Sequence, residues 1–270
     1  MVKLKISVLM STYNPKEEYF IQSVKSILNQ SLTDYEFIII DDGSTIDIKQ
    51  ILINNALDDP RIKLFKIEQD LGLPGALNYG LSICKGKYIA RMDDDDIADS
   101  ERLEIQYNYL RNNTEYSGCW AFFDVIDEVG NNIKHNNICV ENSNILKRLI
   151  VKGNFLCHPT LFVKRDVIKE IGGYDENLRY AQDNDLYIRL LENYKLSIIN
   201  QSLLKYRRTS IRKNVHRDCL AEAYIFFSKY YFFKRNNINK KYRLWFYQWL
   251  ISFVIRLLFK NRTKYNKESD

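Results

Sequence analysis

The sequence predicts an α/β fold: a mostly parallel sheet flanked by helices, with a helical extension behind it. Three observations lead there. Short β-rich apolar runs alternate with helix-patterned segments over the first 110 residues, and such alternation builds a parallel sheet with helices on both faces. The first two runs are apolar nearly throughout, as strands covered on both sides are. Three runs end in polar clusters, STYN (11–14), DDGS (41–44) and DDDD (93–96). Open α/β sheets bind ligands at such places, beyond the carboxyl ends of their strands.

KISVLMS (5–11) is the first strand, and EEYFIQSVKSILNQ then sets Phe20, Val24, Ile27 and Leu28 at helical spacing. EFIIIDDGS (36–44) is a second strand stopped by Asp-Gly, IKQILINNAL a second helix and RIKLFKIE (61–68) a third strand. LPGALNYGLSICKG reads as a third helix, with Pro74 near its first turn and Gly86 as its C-terminal stop. KYIARMD is the fourth strand, and SERLEIQYNYLRNN opens a helix capped by Asp99 or Ser100. The second half is more mixed. GCWAFFDVID and HPTLFVKRD read as strands, NSNILKRLIVKGN and RDVIKEIGG as helices, and KLSIINQSLLKYRR as a last strand. AQDNDLYIRLLEN (181–193) is a helix with Leu186, Leu190 and Leu191 on one side and Asp183 near its start.

With 270 residues, 46% of them hydrophobic, and only 10 Gly and 4 Pro, the chain can bury a core large enough to fold. The net charge of +6 divides unevenly: from Lys205 onward 17 Lys/Arg face 4 Asp/Glu, against 23 and 30 before it. The two parts therefore face different partners. Five cysteines, odd in number and without CxxC spacing, fit neither a zinc site nor a disulfide framework. The opening MVKLKISVLMSTYN lacks a signal-peptide layout, and the expected compartment is the cytoplasm.

Four successive carboxylates repel one another, so the run at 93–96 asks for a cation. Mg²⁺ and Mn²⁺ take one or two protein carboxylates plus phosphate oxygens, which suits a metal-bridged diphosphate at a strand end. The alternative is a solvated loop in which Asp96 or Asp99 caps the next helix. No GxxxxGK[ST] and no GxGxxG follows an early strand, which disfavours kinases and dinucleotide oxidoreductases. In DDGS, Asp41 or Asp42 accepts hydrogen bonds from a ribose or base, or else simply builds a turn.

The segments SVLMSTYN, IIDDGST, LGLPGALNYGL, GKYIARMDDDD and HPTLFVKRDVIKEIGGYDE…AQDNDLYIRL occur in this order over about residues 3 to 208. As a set they resemble family 2 glycosyltransferases with the Rossmann-like GT-A fold, and most of all the bacterial branch that builds capsule, O-antigen and related polysaccharides. The resemblance implies that Ser11, Tyr13 and Asn14 hold the nucleotide and that Asp42, with Asp41, meets the uracil and ribose. It places Gly72, Ala76 and Asn78 in the segment lining the donor site, with Arg91 ahead of the acidic motif. The family's D-x-D-D pattern falls on Asp93, Asp95 and Asp96: Asp95 as metal ligand, Asp93 as ribose or metal contact, Asp96 as an acceptor or diphosphate contact. The late Glu-Asp pair falls on Gln182 and Asp183. Its aspartate is the general base of inverting members; Gln in place of Glu is a departure that bears on acceptor choice. Asp183 has a structural alternative as a helix cap. His158 matches a position near the acceptor, or is structural. Arg207 and Arg208 approach the diphosphate, or form a solvated pair.

The implied cofactor is Mn²⁺ or Mg²⁺, the donor a nucleotide sugar, and the acceptor a polyprenyl-diphosphate-linked glycan. The domain reading is a catalytic unit over 1–210 and a basic, aromatic extension over 211–270. In the extension, AEAYIFFSKYYFFKR (221–235) and KKYRLWFYQWLISFVIRLLFKNRTKYNK (240–267) crowd aromatics among bases. The apolar run from Leu244 to Phe259 is 16 residues and holds Gln248 and Arg256, short of the about 20 that a span needs. Lys240, Lys241, Arg243, Lys260, Arg262 and Lys264, with Trp245 and Trp249, suit helices lying in an anionic membrane surface; a helical pair packed on the catalytic unit is the alternative. Aromatic crowding without a recognition motif argues against nucleic acid. A binding-only module and, more remotely, a nucleotidyltransferase compete with the transferase reading. The latter wants an early Gly-rich basic loop.

Overall fold

The computed structural model describes residues 4–137, 139–208, 215–236 and 242–251. The first half alternates as expected: β1 (Ile6–Thr12), α1 (Glu17–Leu28), β2 (Tyr35–Asp41), α2 (Ile48–Asn54), β3 (Ile62–Lys66), α3 (Gly72–Ile83) and β4 (Tyr88–Met92). A two-residue β5 (Ile97–Ala98) and α4 (Arg102–Asn112) precede a hairpin of β6 (Gly118–Ile126) and β7 (Asn132–Asn136). Then come α5 (Ile145–Lys152), β8 (Phe162–Lys164), α6 (Arg165–Glu170), α7 (Gln182–Asn193), β9 (Leu196–Arg207) and α8 (Val215–Arg235), and a last helical stretch over 242–251.

The sheet runs β3-β2-β1-β4-β8-β6-β9-β5, with β7 added beside β6. Its first four strands are mutually parallel. The rest is mixed: β8 is antiparallel to β4 and β6, β9 is parallel to β6, and β5 is antiparallel to β9. Alternate residues of each early strand feed two cores. Ile6, Val8, Met10, Phe37 and Ile39 pack under α1, α2 and α4, while Leu9, Ile38 and Ile40 pack under α3, α5 and α7. Two covered faces explain the unbroken apolar runs.

Several elements differ from their sequence reading. Gly86 is not a helix stop; a Cβ there would lie 2.3 Å from the Ser7 backbone nitrogen, so glycine is needed for the close approach of the α3–β4 turn to β1. Asp99 does not cap α4, whose N-cap position is Glu101. Its Oδ1 instead accepts the Glu101 N–H at 2.9 Å, in an Asx turn before the helix. HPTLFVKRD yields only a three-residue strand, because His158–Thr160 form a 3₁₀ turn around Pro159.

The C-terminal helices pack on the rest of the fold through their own aromatics. Phe232 and Phe233 of α8 and Trp249 are buried in the core that holds Leu186 and Leu190 of α7. Trp249 thus faces inward, against Phe226, Phe233 and Phe246. The bases at 240, 241, 256, 260, 262 and 264, and the run beyond 251, lie outside the described residues.

At the amino end of the sheet, buried Glu36 accepts from Ser7 Oγ (2.6 Å), the Lys85 N–H (2.6 Å) and Lys63 Nζ (2.6 Å). Burial pushes its carboxyl up, but these three donors outweigh it and hold the group below its ordinary range. A carboxylate with a depressed pKa contributes stability above the unfolded-state value and loses it as pH falls. Glu36→Gln should therefore cost about 2 kcal/mol at neutral pH, and urea unfolding should show the gap to wild type closing below about pH 4.

Candidate active site

The chain runs from β1 outward through β2 and β3, then returns through α3 to β4 on the other side of β1. A crevice opens at such a reversal, beyond the carboxyl ends of the two central strands. Thr12, the last residue of β1, bridges it: its Oγ1 donates to Asp94 Oδ2 at 2.6 Å.

The ends of β1 and β2 are tied into one ledge. Asp41 Oδ1 accepts the Ser44 N–H at 2.8 Å, Ser44 Oγ accepts the Asn14 N–H at 2.9 Å, and Asn14 Oδ1 accepts from Thr45 N and Oγ1, both at 2.9 Å. Asn14 sits at φ +45°, a left-handed conformation that asparagine tolerates. Asn14 and Asp41 are thereby brought together; Ser11 pairs with Ile40 in the sheet, the Asp42 N–H donates to the Thr12 carbonyl at 2.9 Å, and the Tyr13 ring stands 55% exposed. Asp41 is buried and builds the turn. Asp42, also buried, accepts the Leu71 N–H at 2.9 Å and so fastens the entry to α3; burial raises its carboxyl above the ordinary range. Gly72, at φ +69°, opens α3 at this edge, where Arg179 approaches Asp70 at 3.9 Å.

The acidic segment leaves β4 backed by three arginines. Buried Arg91 donates to the Met92 carbonyl and to Asp93. Arg102, wholly buried, donates to the Arg91 carbonyl at 2.7 Å; burial lowers its pKa to about 10, so it stays charged at neutral pH. Arg207, at the end of β9, gives its backbone N–H to Asp96 Oδ1 (2.7 Å) and its Nε to the Asp95 carbonyl (2.9 Å). Its remaining guanidinium nitrogens reach the carbonyls of Asp127 and Glu128 and the Gln22 side chain, over the Tyr19 ring. Neither diphosphate contact nor solvated surface describes Arg207: it is a buried clamp behind the acidic loop. Arg208 is exposed and joins the fold through its N–H to the Ile126 carbonyl, 2.8 Å.

The carboxylates themselves remain under-compensated. Burial and the neighbouring negative charges raise Asp94 to about 6 and Asp95 to about 7, and Asp96, whose Oδ2 has no hydrogen-bond partner among the described residues, is also driven well up. Hard oxygen donors short of positive charge fit a divalent cation. Among the described residues no three His, Cys, Asp or Glu side chains converge as a ready-made metal cage.

Across the crevice, α7 begins behind Ala181, which holds φ +58° at the N-cap position. Asp183 is therefore inside the helix rather than its cap. Burial raises its carboxyl, with the Asp93 charge adding to the effect, so the two ends of the site are electrostatically joined. Gln182 beside it is buried. His158 shares a 2.8 Å hydrogen bond with the Tyr174 hydroxyl, and burial, with the Arg91 charge, holds its imidazole well below its usual pKa and neutral. Two expected donor-site residues lie elsewhere. Ala76 is in the core. Asn78 is turned to the next loop, where it donates to the Tyr174 carbonyl (2.9 Å) and Glu176 (2.8 Å) and accepts the Tyr174 N–H (2.8 Å).

Residues 7–172 match Glycosyl transferase family 2. The chain belongs to that family. It is 36% identical over 90% of its length to an uncharacterized glycosyltransferase of Methanocaldococcus jannaschii, covering 82% of that protein. It is 36% identical to the O-antigen biosynthesis glycosyltransferase WbnJ of Escherichia coli over 75% of this chain and 79% of the relative. For the putative glycosyltransferase EpsE of Bacillus subtilis the figures are 32%, 76% and 74%. Of these three, WbnJ is the one named for a surface polysaccharide, consistent with the expected branch. In fold, the chain matches the crystal structure of S. aureus TarS 1–349 at a TM-score of 0.62 and 18% identity, over 93% of this chain and 80% of that one. The complex of the same TarS segment with UDP-GlcNAc matches at 0.62 and 16%, over 92% and 79%. The architecture is thus GT-A.

Thr12, Tyr174 and Asn154, which touches Asp183, escaped the sequence reading; a lone threonine or asparagine carries no spacing signal. The arginine pair yields a prediction. Arg207→Ala should lower the unfolding free energy by about 3 kcal/mol, as loss of a buried, multiply bonded charge does. Arg208→Ala should stay within about 0.5 kcal/mol, both measured by urea denaturation.

Proposed function

We propose that this family 2 glycosyltransferase is an inverting enzyme that moves a sugar from a UDP-linked donor to a lipid-linked glycan during surface-polysaccharide assembly. The carrying observation is the pairing of Asp183, a half-buried carboxylate on one wall, with the acidic segment on the other. The nucleotide lies on the ledge of Ser11, Tyr13, Asn14 and Asp42, and the diphosphate beside Asp93 and Asp95, which would hold Mn²⁺ or Mg²⁺. That cation supplies neutralisation of the leaving nucleoside diphosphate. Asp183 accepts the proton of an acceptor hydroxyl while its oxygen forms a bond to the anomeric carbon. The bond from that carbon to the diphosphate oxygen breaks, its electron pair leaves with UDP, and the single displacement inverts the centre. UDP is favoured because the TarS neighbour was crystallised with UDP and with UDP-GlcNAc, and a polysaccharide acceptor because WbnJ serves O-antigen biosynthesis.

The test is a panel of nucleotide sugars with and without Mn²⁺ or Mg²⁺, reading released nucleoside diphosphate. One donor should be turned over with metal, and Asp95→Ala should abolish the metal stimulation. Asp183→Asn should lower transfer by about 10²- to 10⁴-fold while calorimetric UDP binding persists. Failure of every donor, together with no UDP binding, would overturn the reading in favour of a different ligand.

We further place the enzyme on the cytoplasmic face of the membrane, with 1–210 as the catalytic unit and 211–270 as its attachment. Among the described residues no helix is long and apolar enough to cross a bilayer. Phe227, Tyr230 and Tyr231 of α8 and Leu244, Tyr247 and Ile251 instead expose large apolar area while their neighbours face the core. Each base near an anionic leaflet adds about 1 kcal/mol. The protein should co-sediment with phosphatidylglycerol-containing vesicles and not with neutral phosphatidylcholine ones. The triple change Phe227→Ser, Tyr230→Ser, Tyr231→Ser should weaken that binding, whereas equal sedimentation with both vesicle types would refute an anionic docking face.

A further inference from the structure

The loop after α5 sends a side chain to the proposed base. Gly153, at φ +104°, turns the chain out of the helix. Asn154 then closes an Asx turn: its Oδ1 accepts the Leu156 N–H at 3.0 Å. That bond settles which end of the amide is which, since a backbone donor calls for the carbonyl oxygen. The other end, Nδ2, donates to Asp183 Oδ2 at 2.8 Å. Among the described residues no other side chain donates to this carboxylate.

We propose that Asn154 is the positioning residue of the base: an amide locked by its own turn, it fixes one oxygen of Asp183 and leaves Oδ1 to take the acceptor proton. The inference rests on the reading of Asp183 as base. Catalytic groups act from a narrow range of geometries, and a carboxylate on the first turn of a helix has several rotamers to choose from. The tether from a separate element selects one.

The same bond opposes the local electrostatics. Burial pushes the Asp183 carboxyl up, and Asp93 at the end of β4 adds to it. Tyr174, from the segment before α7, and Tyr187, one turn along α7, also interact with that charge, and burial holds both phenols protonated. Against these stand the Asn154 amide and the backbone N–H groups of Asp183 and Asn184. Donors to the charged form keep a carboxylate ionised, and a base must be ionised to act.

Two substitutions separate positioning from loop building. Asn154→Asp keeps the acceptor for the Leu156 N–H, and with it the turn, but removes the donor and sets a like charge against Asp183. Asn154→Ala removes both. Protein carrying ¹³C at the aspartate side-chain carboxyls is titrated by NMR, the Asp183 signal being the one lost in Asp183→Asn. We expect its midpoint to rise in both variants, by about one unit in Asn154→Ala, a tenfold change in proton affinity. It should rise further in Asn154→Asp, where the pair titrates jointly. An Asp183 midpoint unchanged in Asn154→Asp, in protein that remains folded by circular dichroism, would overturn the proposal and leave Asn154 a loop residue. Failure of the base reading shows separately, as sugar transfer to an acceptor in Asp183→Asn that equals wild type whatever the titration gives.

Discussion

Four adjacent carboxylates at the end of a buried strand are the costliest feature of this fold, and three buried arginines make it tenable. Each answers the problem differently. Arg91 is paired with Asp93 itself, Arg102 braces the backbone of β4 through the Arg91 carbonyl, and Arg207 grips the Asp95 carbonyl and caps Asp96 with its own N–H. Each of the three also donates to a backbone carbonyl, so together they hold the loop's shape without cancelling all of its charge. Burial first, and then the neighbouring negative charges, keep the carboxyls of Asp94 and Asp95 raised. Full compensation by protein would leave little for a cation to do.

The opposite wall is built by a different logic, from neutral amides. Asn78 of α3 holds the Tyr174 segment by both ends of its side chain, Tyr174 meets His158, and Asn154 holds Asp183. Gly173, at φ +67°, leaves room for Asn78; a Cβ there would lie 2.5 Å from its Oδ1. Neutral hydrogen bonds of this kind fix geometry while adding no net charge. They suit a wall whose carboxylate Asp183 already lies under the influence of the acidic segment.

Much of this was legible in the sequence, and the gaps have physical causes. β1, β2 and β4 are largely apolar runs because both of their faces are covered, and their polar ends mark the crevice directly. β5 is two residues long and β7 is almost wholly exposed, so neither leaves a periodic trace. The antiparallel half therefore stayed undefined. Among site residues, aspartates at strand ends announced themselves through their mutual repulsion. Asn78 misled because a helical asparagine can face a cleft or a neighbouring loop, and only the fold decides. Arg207 misled similarly: a basic pair at a strand's end looks solvated until its carbonyl partners, from a hairpin remote in sequence, are in place. Trp249 was read as an interfacial anchor and proved to be core, since an amphipathic aromatic helix has the same composition whichever side it hides.

The clamp at Arg207 also bears on how the protein is made. Its partners Asp96 and Gln22 lie 111 and 185 residues earlier in the chain. A nascent polypeptide has β1 to β4 and all four aspartates outside the ribosome long before β9 emerges, and domains tend to fold as units during synthesis. Until residue 207 is free, the acidic loop lacks the donor that shapes it and Asp183 lacks the strand behind α7. An unfinished chain thus carries the sequence of the site without its form, and maturation of the site is timed by the arrival of its last strand.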